Sequence, residues 1–148
     1  MGPALQTNAE VTIDRPAESV WAVVADYDSD RRWRKGIVEM TPDRPGAPRV
    51  GTHVREVLRL AGRSYTTDTI VTEAGPGMSY SFAGTGTSGA VRGRRSVRPR
   101  ADGAVFSYEV ELEPQALPRP VAPVLAWWLR RSLRRDVRRL RKLVEASA

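Results

Sequence analysis

VAPVLAWWLRRSLRRDVRRLRKLVE, residues 121–145, is the stretch of sequence that decides the fold. Its apolar side chains recur at steps of three or four and therefore share one face of a long helix: Leu125, Leu129, Leu133, Val137, Leu140 and Val144. The opposite face carries adjacent pairs of arginines that repeat every four residues. Such an amphipathic helix needs a large apolar surface to cover, so the rest of the chain should supply one.

The chain that precedes this helix is dominated by strands and turns. Alternating apolar and polar positions predict six strands, at residues 37–41, 51–60, 63–73, 77–83, 90–98 and 104–113. Short turn-rich separators such as Gly75-Pro76-Gly77 and Ala101-Asp102-Gly103 join them. Consecutive strands joined by short turns pair in antiparallel fashion. We therefore expect an antiparallel sheet that curves around the last helix.

The first third of the chain completes this α+β pattern. Residues 9–14 predict one more strand, and Pro16 suits the first position of a helix that should end near Asp26. Residues 28–33 predict a short second helix or turn. The length of 148 residues suits one domain. We assign residues 1–8 to an N-terminal tail and residues 9–146 to a single domain.

Composition excludes several classes of site. The chain has no cysteine and one histidine, which leaves out disulfide frameworks, thiolate nucleophiles and multi-histidine metal sites. No cofactor and no metal are predicted. The start of the chain has no secretory signal pattern, and no apolar run is long enough to span a bilayer. A cytoplasmic location is therefore the default expectation.

The net charge of +7 belongs to one segment. Residues 118–148 contain nine basic and two acidic side chains, whereas residues 1–117 contain 15 of each. A neutral body with one basic helix does not indicate nucleic acid, because no groove-reading motif accompanies the charge. The basic face is interpreted first as a solvated surface, with weak contact to an anionic membrane or contact with an acidic partner as the alternative. The sequence does not fix the oligomeric state.

Two motifs have plain structural interpretations. Residues 84–89 match G-x-G-x-x-G, but the segment that follows is strand-like, and a dinucleotide loop needs a helix there. We interpret the motif as a hairpin loop. His53 alternates with Val54 along a strand and should point outward, which argues against a catalytic triad.

Four polar side chains lie on strand faces that are otherwise apolar. Glu56 shares a face with Val54, and Arg95 falls among inward positions of its own strand. A carboxylate on such a face must be solvated or paired, so the pattern suggests a Glu56–Arg95 pair inside a cavity, the alternative being that strand twist or a bulge places one or both side chains at its rim. Tyr80 and Tyr108 also alternate with apolar residues. Each tyrosine either packs in the core or donates a hydrogen bond into a pocket.

Several segments together resemble the START-like, or SRPBCC, superfamily. They are the opening Ala9–Trp21, the Asp26–Asp30 and Arg32–Arg34 region, Gly51-Thr52 with Gly62–Glu73, and Leu133–Leu140. The resemblance extends over about 9–145 and is greatest to the polyketide cyclase/dehydrase branch. It implies a helix-grip fold, in which a seven-stranded antiparallel sheet wraps around the long C-terminal helix and two short helices follow the first strand.

The resemblance also implies an elongated, mostly apolar cavity between the sheet and the helix. Within that fold, strand and helix alternation predicts the residues that bind a hydrophobic ligand: Trp33, Val54, Leu58, Thr67, Phe82, Phe106, Leu125, Trp128, Leu129 and Leu133. Members of the superfamily bind lipids, sterols and polyketides, and some cyclise or dehydrate polyketide chains. The resemblance carries no catalytic motif to this chain.

Two functions therefore stay open. An enzyme acting on a polyketide-type intermediate would use Glu56 to move protons and Arg95, Tyr80 and Tyr108 to stabilise a developing enolate oxygen. A non-catalytic binder or lipid carrier would need only the cavity. If the protein is an enzyme, these four groups should converge within one cavity. If it is a carrier, they should point outward or pair with each other.

Overall fold

The computed structural model describes residues 4–87, 89–114 and 121–147. The strands are β1 Leu5–Ile13, β2 Ile37–Pro42, β3 His53–Leu60, β4 Arg63–Ala74, β5 Met78–Gly86, β6 Gly89–Arg100 and β7 Gly103–Pro114. The helices are α1 Ala17–Val24, α2 Asp30–Trp33 and α3 Ala122–Ala146. None of the helices in these ranges could span a bilayer.

The strands form a single seven-stranded sheet in the order β1-β7-β6-β5-β4-β3-β2. Every neighbouring pair is antiparallel, and β2 to β7 follow one another as a meander. The first strand pairs with the last one, which places β1 at one edge and β2 at the other. With α3 packed on this sheet and two short helices after β1, the predicted helix-grip fold is confirmed.

The N-terminal elements differ from the sequence prediction at their boundaries. β1 begins at Leu5 instead of Ala9, because Leu5 pairs with Leu112 and continues the ladder with β7. Residues 5–8, assigned above to a tail, are therefore part of the sheet. Pro16 lies one position before α1 as its N-cap, and α1 ends at Val24.

The glycine motif at residues 84–89 forms the β5–β6 hairpin, as expected, where Gly86 pairs with Gly89. Ser88 lies outside the described residues. A side chain at Gly84 would place its Cβ 1.9 Å from the Asp68 carbonyl oxygen of the adjacent strand. Gly84 is thus needed for the close approach of β4 and β5.

The two halves of α3 pack differently. In the C-terminal half, the apolar stripe is buried against β1 and the sheet core, through Leu133, Val137, Leu140 and Val144. In the N-terminal half, Leu125, Trp128 and Leu129 are only half-buried. The second half of α3 therefore anchors the helix, and the first half covers a more open part of the sheet.

Candidate functional site

A buried arginine lies at the centre of the concave face of the sheet. Arg95 in β6 is 1% exposed and forms a two-pronged ion pair with Asp30 of α2. Its Nη1 and Nη2 donate to the two Asp30 carboxylate oxygens at 3.1 and 2.7 Å. The same Nη2 also donates to the Tyr108 hydroxyl at 3.2 Å. Paired donors of this kind hold a guanidinium in one fixed orientation.

The expected pair between Glu56 and Arg95 is wrong. Arg34, just past α2, stands between them and donates from Nη1 to Glu56 at 2.6 Å and to Asp30 at 3.2 Å. The charges therefore alternate along a chain that runs Glu56, Arg34, Asp30, Arg95 and ends at Tyr108. We call these five residues the ion cluster. Asp30 lies between both arginines and takes the position that the sequence interpretation gave to Glu56.

Aromatic rings enclose the Arg95 end of the ion cluster. The guanidinium carbon lies 4.6 Å from the Tyr108 ring centre, 5.0 Å from that of Trp33 and 6.0 Å from that of Tyr80. Cations are attracted to such ring faces. Burial by itself lowers the pKa of Arg95, but Asp30, Tyr108 and Tyr80 raise it, and the net pKa is well above the ordinary value. The guanidinium is therefore permanently charged.

The neighbouring phenols are held in their protonated form. Burial raises the pKa of Tyr80 well above its ordinary value, and the charge of Arg95 only partly opposes this. Burial also raises the pKa of Tyr27, which packs edge-on against Tyr80, to about 12. Tyr80 is 2% exposed. Tyr27 and Tyr80 can therefore donate hydrogen bonds but are poor bases near neutral pH.

A cavity of about 860 Å³ lies next to the ion cluster. Its lining includes one row of paired residues across four strands: Thr7, Val110, Gly93 and Phe82. Most of the other lining residues are polar or charged, so this is not the mostly apolar cavity that the resemblance implied. Arg130 and Arg134 of α3 also line it, so the cavity lies between the sheet and the helix. A side chain at Gly93 would place its Cβ 2.5 Å from the Phe82 ring, so this glycine makes room for that ring. The Thr7 hydroxyl is buried without a hydrogen-bond partner among the described residues, and a bound molecule could satisfy it.

The ion cluster occupies the adjacent row on the same face of the sheet. Arg95 pairs across the sheet with Tyr80 and Tyr108, two positions along their strands from the cavity row. The structure thus brings together three of the four proposed catalytic residues, and Arg34 connects the fourth, Glu56, to them. The lining of the 860 Å³ cavity does not include any of these four. Arg95 is bonded to Asp30 and Tyr108, and Glu56 is bonded to Arg34.

The residues predicted to bind ligand fall into three groups. Phe82 lines the cavity. Others are half-buried, on β3, β4 or the first half of α3: Leu58, Thr67, Leu125, Trp128 and Leu129. A third set lies in the core with at most 8% exposure: Trp33, Val54, Phe106 and Leu133. The residues of the third group belong to the core beside the site, and the Trp33 ring lies against the Arg95 guanidinium.

Sequence reasoning missed Asp30 and Arg34. Asp30 is fully buried in a helix of four residues, and Arg34 follows that helix directly. The available signal was chemical, since a buried arginine at position 95 requires an acid. Alternation along the strands could not locate that acid, because it comes from outside the sheet.

Solved structures share this architecture across nearly the whole chain. A protein from Thermus thermophilus matches with a TM-score of 0.82 at 16% identity, covering 97% of this chain and 99% of its own. A START superfamily protein from Mycobacterium smegmatis matches at 0.77 and 17%, covering 97% and 99%. The Zhui aromatase/cyclase from a Streptomyces strain matches at 0.79 and 15%, covering 97% and 94%. At these identities the likeness concerns the fold.

The seven-stranded sheet and the long C-terminal helix packed on it form a helix-grip fold, the architecture shared with the START superfamily protein from Mycobacterium smegmatis. A comparison with curated proteins finds no match. The sequence matches the family described as polyketide cyclase / dehydrase and lipid transport over residues 4–145. The chain belongs to that family, and the predicted resemblance is confirmed.

Proposed function

We propose that this protein binds a hydrophobic small molecule in the cavity between the sheet and α3, and that it acts as a carrier of that molecule, in the cytoplasm. One observation carries the proposal. A cavity of about 860 Å³ lies beside a polar cluster whose charges are satisfied within the protein. A volume of this order suits a drug-sized or lipid-sized ligand.

The pairing pattern favours a carrier over an enzyme. Glu56 accepts a short hydrogen bond from Arg34, and Arg95 is held by Asp30 and Tyr108. A general base must be free to accept a proton from a substrate. Here the only proposed base is engaged by a permanent cation. The family description supports the same coarse function, because it includes lipid transport alongside cyclase chemistry.

Native mass spectrometry of freshly purified protein tests the proposal by detecting a copurified ligand. A variant that fills the cavity provides the matching functional test. Val110→Phe places a second ring beside Phe82 and should weaken binding of a fluorescent fatty acid by about tenfold or more, because the ligand loses its space. The control is Val38→Phe, at a valine that is 46% exposed. Equal affinity in all three proteins would rule out this cavity as the site.

A cyclase or dehydratase activity is the second candidate. Arg95 Nη2 and the Tyr108 hydroxyl lie 3.2 Å apart in the row beside the cavity, and both are donors that could stabilise an enolate oxygen. The test uses Glu56→Gln and Tyr108→Phe on an identified polyketide-type substrate, since both changes preserve side-chain shape. A drop of about a hundredfold in kcat would support catalysis by this cluster. Full turnover in both variants would exclude it.

A further inference from the structure

The first turns of α3 are apolar on the side that faces away from the sheet. Val121, Val124 and Trp127 are 42%, 63% and 55% exposed. Their spacing of three residues keeps them on one side of the helix. Single exposed apolar residues are ordinary on protein surfaces, but a contiguous patch marks an interaction site.

Basic side chains continue the same face toward the C-terminus. The Arg131 guanidinium lies 5.4 Å from the centre of the Trp127 ring, so the apolar patch and the basic face meet there. The ion pairs within α3 use Arg135 and Arg141. Arg131 and Arg138 have no carboxylate within 4.0 Å among the residues that the structure describes. These cations are available to a negatively charged partner.

We propose that this face of α3 docks on an anionic membrane surface. Val124 and Trp127 would enter the boundary between headgroups and acyl chains, where tryptophan side chains are favoured. Arg131 and Arg138 would remain at the level of the lipid phosphates. An apolar patch joined to a basic face is what an interfacial helix requires. Nucleic acid would use the arginines but would leave the apolar patch exposed, so it fits the face less well.

The docking face lies close to the cavity. Arg130 and Arg134, which line the cavity, belong to the same turns of α3 as Trp127 and Arg131. Docking through these turns would therefore bring the cavity next to the acyl chains, where a hydrophobic ligand could enter or leave. Membrane binding can be measured without any ligand. A protein that fails to bind membranes could still bind the ligand, and a protein that fails to bind the ligand could still bind membranes.

The test is cosedimentation of the full chain with vesicles of phosphatidylcholine alone and of phosphatidylcholine mixed with phosphatidylglycerol. We expect binding to the mixed vesicles only, weakening as salt is added. Val124→Ser combined with Trp127→Ser should weaken it by about tenfold or more. Arg131→Gln combined with Arg138→Gln should also weaken it by about tenfold or more, because each cation near an anionic surface contributes about 1 kcal/mol.

Matched controls come from the other end of the molecule. Glu145 accepts a hydrogen bond from the Asp14 backbone, and Gly103 lies against Ile13, so the β6–β7 hairpin lies near the C-terminal end of α3. Arg98→Gln combined with Arg100→Gln in this hairpin removes the same charge, and Val50→Ser changes a valine that is 61% exposed. Both controls should retain binding within about twofold.

Three outcomes would overturn the proposal. One is the absence of binding to the mixed vesicles. Another is an equal loss in the test and control variants, which would indicate a nonspecific charge effect. The third is binding to a DNA duplex without binding to vesicles. Thermal unfolding of each variant verifies that it is folded, as expected for substitutions at exposed positions.

Discussion

At the scale of single residues, Asp30 holds the ion cluster together. It has no exposed surface and pairs with both Arg34 and Arg95. Without its carboxylate, the buried charge of Arg95 would have no anionic partner. A buried cation in that state is strongly unfavourable, whereas a well-packed apolar pair at the same positions is not.

We therefore expect Asp30→Asn to lower the free energy of unfolding by about 3–5 kcal/mol, and Arg95→Met to lower it by less, because Asp30 keeps Arg34 as a partner. The double change of Asp30→Leu with Arg95→Met should recover most of that loss, because no unpaired charge remains. Urea denaturation measures both effects. Losses below about 1 kcal/mol in the single variants would show that the cluster contributes little to stability.

Tyr27 should make the folded protein sensitive to alkali. Its pKa is raised by burial from 10.0 to about 12, so the folded state holds the phenol proton more tightly than the unfolded state does. The stability that this proton provides is present below pH 10 and is lost as the pH rises from 10 to about 12.

The variant Tyr27→Phe should therefore show a shallower fall in unfolding free energy across that interval than the parent protein. Denaturation curves at a series of alkaline pH values measure the slopes. The matched control is Tyr65→Phe, at a half-buried tyrosine of β4. Parallel slopes in the parent and Tyr27→Phe would contradict the assignment.

At the scale of elements, α3 combines two roles along one apolar stripe. Leu140 is fully buried in the core, whereas Leu129 is half-buried near the open part of the sheet. Leu140→Ala should cost about 2–5 kcal/mol of stability, because it leaves a cavity in the core. Leu129→Ala should cost about 1 kcal/mol, because a half-buried side chain loses less apolar contact. Urea denaturation measures both losses, and equal losses would contradict this division of the helix.

The sequence predicted the extent of α3 well, but it did not predict that the two halves of the helix are buried to different degrees. The leucine repeat indicates one continuous helix and one face, and the structure has both. Periodicity treats Leu129 and Leu140 as equivalent, because it shows only that both side chains lie on the same face of the helix. It does not show which residues pack against that face at each position. The difference arises from what each half of α3 faces: Leu140 belongs to the core cluster with Ala9 and Ile13, whereas the start of β1 at Thr7 lines the cavity with Arg130.

At the scale of the whole molecule, local patterns predicted the sheet and missed the connections between distant segments. Alternation placed Arg95, Tyr80 and Tyr108 on inward faces, and hairpin turns predicted their neighbours. The partner of Arg95 could not be obtained in this way. Asp30 is brought to β6 by the packing of a one-turn helix on the sheet, a contact between residues 65 positions apart that no periodicity encodes.

The pairing of β1 with β7 has a consequence for how the chain acquires its structure. Leu5 opposes Leu112, and among the described residues β1 pairs only with β7, which lies about a hundred positions later in the chain. During translation, the N-terminal strand therefore emerges long before its partner, with its backbone donors and acceptors unsatisfied. Contacts between such distant segments form slowly and leave a strand edge open to other chains in the interval. The sheet is therefore complete only when β7 has paired with β1.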